Sequence, residues 1–164
     1  MSMLLFGAKY LYLFIIATAV IFFALQSREQ QKKYLFLSVI YLPLAYILAQ
    51  IIAYFYFDPR PFIVGNFQPL IPHAADNGFP SDHMLLGSAI ASILFVYNKK
   101  IGLLAWVIAF FVGFSRVSIG LHHWTDITGS ALIAVLVMAF VNQYILPSVI
   151  KTKFYQKFFG HKTI

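Results

Sequence analysis

The stretch IGLLAWVIAFFVGFSRVSIGLHHWTDITGSALIAVLVMAFVNQYILPSVI, residues 101–150, decides the fold. It contains two apolar runs, Ile101–Ile119 and Asp126–Ile150, each long enough to cross roughly 30 Å of hydrocarbon as a helix. Where one run gives way to the other, Ser115–Asp126 brings together an arginine, two adjacent histidines and an aspartate. Polar groups of this kind are expensive in a membrane and mark function. His122 and Asp126 are four residues apart, so a helix here would put them on one face. A carboxylate that holds one nitrogen of an imidazole frees the other to act as nucleophile or base. Arg116 adds a permanent charge and a planar fork of donors suited to phosphate or carboxylate.

The rest of the chain repeats the apolar theme. It has 164 residues, is 61% hydrophobic and only 10% charged, and carries a net charge of +7 and no cysteine. With a mean hydropathy of +0.81, it falls in the integral membrane class. The absence of cysteine excludes disulfide and thiol chemistry.

Outward from the decisive stretch lie three further apolar runs: Leu4–Gln26, Tyr34–Phe57 with Pro43 inside it, and the shorter Met84–Tyr97, which spans more easily if it starts at Ser81 or Asp82. Ser27–Lys33 reads as a basic loop, Asn98–Lys100 as a tight basic turn and Lys151–Ile164 as a basic tail. Asp58–His83 holds five prolines and cannot be a regular helix. The expectation is an all-α, polytopic bundle of five transmembrane helices, forming one domain over 1–164 with a cytoplasmic tail at 151–164. The first run is long and no small-residue cleavage site follows it, which reads against a cleavable signal peptide.

Charge sorts the loops. If the runs alternate, Arg28, Lys32, Lys33, Lys99, Lys100, Lys151, Lys153, Lys157 and Lys162 share one side, while only Lys9, Arg60 and Arg116 fall on the other. The positive-inside rule makes the first side cytoplasmic. All four aspartates, with His73, His83, His122 and His123, then face outward from the cell membrane.

That face collects Arg60 on the stiff Asp58-Pro-Arg-Pro61 segment, and Phe79-Pro-Ser-Asp-His83 at a helix start whose free N–H groups favour anions. Arg60, Arg116, Ser81 and Asp82 are the candidate phosphate-binding positions; His122, Asp126 and His83 are the candidate catalytic ones. In a covalent route His122 attacks phosphorus, oriented by Asp126, while His83 protonates the leaving oxygen and then activates water. Other roles fit single residues. Either arginine could be the structural partner of Asp58 or Asp126. His73 reads as a loop residue without chemistry, and His123 as structural or interfacial. His83, His122 and Asp126 could be metal ligands, although neighbouring arginines repel a metal.

Ser115-Arg116, His122 and Asp126 resemble the third signature motif of the type-2 phosphatidic acid phosphatase superfamily. Pro80-Ser-Asp-His83 resembles its second motif, and Arg60-Pro61 the end of its first. Asp58-Pro-Arg-Pro-Phe62, the string from Leu70 to His83 and Gly113-Phe-Ser-Arg116 are similar to the bacitracin-resistance type of undecaprenyl-diphosphatase, across roughly 34–145. The resemblance implies His122 as nucleophile paired with Asp126, His83 as acid and base, and Arg60, Arg116 and Ser81 on the phosphate. It implies no metal or other cofactor, a lipid partner in the bilayer and no nucleic acid. The reaction implied is hydrolysis of undecaprenyl diphosphate outside the membrane; phosphatidylglycerophosphate, phosphatidate and lipid A are the alternative substrates, and an inactive headgroup-binding relative the alternative class. Three positions depart from the pattern. Ala53 stands where the first motif has lysine, with Lys9 as a possible substitute, and Met84 follows the second-motif histidine. Five runs also stand against six helices in the superfamily core, an expected reduction at the N-terminal side.

Overall fold

The computed structural model describes residues 2–153, 155 and 156. Its elements are α1 (Met3–Ala24), α2 (Arg28–Phe55), the short α3 (Pro61–Val64), α4 (Asp82–Tyr97), α5 (Lys99–Ser118), α6 (Trp124–Phe140), a π turn (Val141–Ile145) and α7 (Leu146–Ile150). Four stretches have the length and apolarity to cross a membrane: Met3–Ala24, Arg28–Phe55, Lys99–Ser118 and Trp124–Ile150; α4 is a fifth, shorter apolar helix. The chain is a multi-pass helical membrane protein, as its composition predicts.

Two expected loops are absorbed into helices. Ser27 caps α2, its Oγ accepting from Gln30 N at 3.4 Å, so the basic stretch from Arg28 to Lys33 is helical. Arg, Gln and Lys are strong helix formers, and their polarity had suggested a loop where only the N-cap leaves the helix. Likewise Asn98 both ends α4 and caps α5, its Oδ1 accepting from Lys100 N and Ile101 N at 3.1 Å. In this hairpin Gly102 passes so close to α4 that an added Cβ would lie 2.2 Å from Phe95 Cα. Of the basic tail, residues 154 and 157–164 lie outside the described residues.

The packing centre is α4. It meets α1, α2, α5 and α6 and buries Gly87, Ser88, Ala89, Ala91 and Ser92, small residues that let neighbouring backbones approach where lipid offers no hydrophobic drive for association. Tyr41 on α2 donates to Ala134 O on α6 at 2.8 Å. At 16 residues α4 is about 24 Å long, shorter than the hydrocarbon core. The covering segment from Tyr56 to Ser81 joins α2 to α4 with α3 as its only helix. A small apolar cluster of Ala8, Phe62, Ile119 and Leu121, with Ile71 against it, seats that cover on α1 and on the turn after α5.

Candidate active site

Each candidate residue sits at the end of an element. Arg60 is the N-cap of α3, and Pro61 fixes the first helical φ behind it. Ser81 is the N-cap of α4, Asp82 and His83 begin it, and the first bond from within α4 to its cap runs from Leu85 N to Ser81 O at 2.8 Å. The N–H groups of Asp82, His83 and Met84 therefore precede the helical ladder. Arg116 lies in the last turn of α5. The chain then reverses through Gly120, whose φ of +74° suits glycine, and whose missing side chain leaves room for Phe67. The reversal delivers His122 to the centre.

His122 and Asp126 meet, but not across a helical face. His122 precedes His123, the N-cap of α6, and Asp126 is the third helical residue. A carboxylate at that position reaches back to the cap: Asp126 Oδ2 accepts from His123 N at 2.9 Å and lies 3.2 Å from His122 Nδ1. The four-residue spacing survives, with helix capping as its cause.

The surroundings of His122 select its tautomer. Nδ1 faces two acceptors, Gly78 O at 2.9 Å and Asp126 Oδ2 at 3.2 Å, so it carries the proton. Nε2 faces two donors, Arg116 Nη2 at 3.2 Å and Arg60 Nη1 at 3.4 Å, so it presents its lone pair. Burial, with both arginines adding to it, outweighs Asp126 and pulls the proton affinity of His122 below the ordinary imidazole value. Arg60, Arg116, His122, Asp126 and Ser81 are all buried.

The arginines are braced on different sides. Arg60 Nε donates to Asp76 Oδ1 at 2.7 Å, and its Nη groups donate to Leu121 O at 3.1 Å and Asn77 O at 3.3 Å. Its carboxylate partner is thus Asp76, not Asp58. Arg116 Nη1 donates to Ala8 O of α1 at 3.2 Å, while its Nε is buried without a hydrogen-bond partner among the described residues. Ser81 Oγ is buried and equally unpartnered. Two cations and spare buried donors around one lone pair make a receptacle for an anion. His83 is half-buried, its ring edge-on to Tyr12 with centroids 4.7 Å apart, and Asp82 is exposed at the first helical position.

Several supports carried no sequence signal. Asp76 holds Arg60 across 16 residues. Asn77 spends all four of its hydrogen-bonding positions on the backbone: Oδ1 accepts from Asp58 N (2.9 Å) and Phe79 N (3.0 Å), and Nδ2 donates to Ala53 O (3.1 Å) and Tyr56 O (2.8 Å). Ser130 Oγ accepts from Ser81 N at 3.0 Å and donates to Asp126 O at 2.7 Å, tying α6 to the start of α4. Asp58 takes Thr125 Oγ1 at 2.9 Å and lies 3.1 Å from His123 Nδ1, which gives His123 the structural place expected of it. Asp58, His123 and Asp126 offer ligand atoms within 4.8 Å of one another. Their contacts with Thr125, His122 and the His123 backbone already knit that group together. Position 53 lends only its carbonyl, and Lys9 is exposed on α1.

Comparison with known proteins gives the family. The family model of the PAP2 superfamily matches residues 33–149. The chain belongs to the PAP2 superfamily. Among PAP2 relatives, it is 35% identical over 125 residues to the undecaprenyl-diphosphatase BcrC of Bacillus subtilis (strain 168), a match covering 75% of this chain and 65% of that protein. It is 34% identical over 137 residues to the bacitracin transport permease protein BcrC of Bacillus licheniformis, covering 83% and 67%. The matches thus span about two thirds of the length of these curated relatives. Two crystal structures resemble the fold of this chain: Aquifex aeolicus LpxE, with a TM-score of 0.57 at 22% identity over 83% of this chain and 87% of that one, and the PAP2-type phosphatidylglycerolphosphate phosphatase of Bacillus subtilis, with 0.54 at 24% over 92% and 75%.

Proposed function

We propose that this PAP2 protein is a lipid phosphatase that removes the terminal phosphate of undecaprenyl diphosphate on the extracytoplasmic face of the cell membrane. The observation that carries the reading is the lone pair of His122 Nε2, held between two guanidinium groups while Nδ1 is tethered from behind. A phosphoryl group drawn in by Arg60 and Arg116 meets that lone pair directly. Likeness to a protein named undecaprenyl-diphosphatase, and the bias of basic residues toward the opposite loops, support the substrate and the sidedness.

The reaction runs in two halves. Nε2 attacks the terminal phosphorus, forming a P–N bond as the P–O bond to the bridging oxygen breaks and the lipid monophosphate leaves. His83 supplies a proton to that oxygen. Arg60, Arg116 and Ser81, with the N–H groups at the start of α4, hold the charge on the equatorial oxygens. Asp126 stabilises the ring while it bears positive charge. His83 then takes a proton from water, which attacks the phosphohistidine and releases phosphate.

Phosphate release from undecaprenyl diphosphate by the detergent-purified protein in EDTA tests this. We expect release from the wild type and a loss of at least about 10³-fold in His122→Ala, with the variant still folded. An active His122→Ala, or a wild type that acts on phosphatidate and not on the diphosphate, contradicts the reading.

A further inference from the structure

The proposed chemistry leaves one histidine at the rim without a task. His73 lies on the loop between Gly65 and Gly78, and that loop is pinned on both sides of it. Two residues earlier, Ile71 packs against the cluster of Ala8, Phe62, Ile119 and Leu121. Three and four residues later, Asp76 grips Arg60 at 2.7 Å and Asn77 makes its four backbone bonds. Pro72 stiffens the span between. His73 Nδ1 stands 3.9 Å from Asp76 Oδ1, the same oxygen that holds Arg60, and its side chain keeps 27% of its surface open. Burial lowers the proton affinity of His73, and the charges of Arg60 and then Arg116 lower it further, against Ala74 O and Asp76. The ring stands on the Asp76 carboxylate that braces the Arg60 guanidinium.

We propose that His73 is a substrate-binding residue that holds the second phosphate group of a diphosphate whose terminal group occupies the clamp of Arg60, Arg116 and His122. This rests on the diphosphate reading above. A phosphomonoester is served by the two arginines, Ser81 and the start of α4. A diphosphate brings a further anionic group that must lie beside the clamp. Ala53 carries no donor to meet it, and its carbonyl is already taken by Asn77. A fixed imidazole at the rim meets it without a long flexible side chain to order. Burial and the two guanidinium charges outweigh Asp76 and lower the proton affinity of the ring; a dianion placed there reverses that balance and binds the ring as imidazolium.

Binding of methylenediphosphonate and of orthophosphate to the intact detergent-purified protein, measured by calorimetry, tests the assignment without turnover. We expect the wild type to prefer the diphosphonate. His73→Ala should reduce that preference about ten-fold, the value of one charge-assisted hydrogen bond, and His73→Arg should restore it. A preference unchanged in His73→Ala, an equal loss for both ligands, or no preference in the wild type overturns the proposal. The two readings fail separately. Diphosphonate preference through His73 with no phosphate release from undecaprenyl diphosphate refutes the lipid substrate and leaves this subsite standing; release without dependence on His73 does the reverse.

Discussion

Neutral His122 is the form that its neighbours favour, and the chemistry needs that form. Only unprotonated Nε2 has a lone pair to attack phosphorus. Because burial and the two arginines lower the proton affinity of this ring, the active species persists as pH falls and is lost only when the lowered value is crossed. We therefore expect the acid limb of the kcat/KM profile to have its midpoint below about 6.5, the ordinary histidine value. A midpoint above that value contradicts the assignment. The residues of this centre were legible in sequence because each is a rare polar type in an apolar chain at a telling spacing. Asp76 and Asn77 were not legible as supports of Arg60 and its loop. Their partners lie in distant segments, and nothing in the string from Leu70 to Asn77 shows that the loop folds back over Arg60. Even the spacing of His122 and Asp126 arose from a cap where a helical face was expected.

At the scale of elements, the start of α4 depends on α6. Ser130 Oγ satisfies the buried Ser81 N–H and, through Asp126 O, connects the anion-binding end of one helix to the carboxylate of the other. Ser130→Ala removes the only side chain that meets Ser81 N among the described residues and leaves that donor buried. Such a loss costs about 1–3 kcal/mol, or a fall of roughly 2–10 °C in Tm for a chain of this size. Differential scanning fluorimetry in detergent checks it, and an unchanged Tm shows that the tie is dispensable. The five apolar runs were readable to within a few residues at most ends, since hydrocarbon admits little else. Arg28–Lys33 was misjudged because polarity alone cannot separate a loop from a helix that emerges from the bilayer.

For the whole molecule, the distribution of charge is what supports the proposed orientation. The natural chain has no cysteine, so single introduced thiols report sidedness cleanly. Gln68 on the covering loop and Lys32 on the first turns of α2 are both exposed. In intact cells a membrane-impermeant maleimide should label Gln68→Cys and spare Lys32→Cys until the membrane is opened. The opposite pattern reverses the proposed orientation.

Helix α1 reaches into this arrangement from the far end of the sequence. Its Ala8 carbonyl receives Arg116, and Tyr12 lies against His83. Whoever purifies or images the protein inherits that geometry. A bulky affinity handle or fluorescent fusion joined ahead of Ser2 pulls on a helix whose second turn holds Arg116, and dim activity from such a fusion would reflect the handle before it weighed against the proposed function.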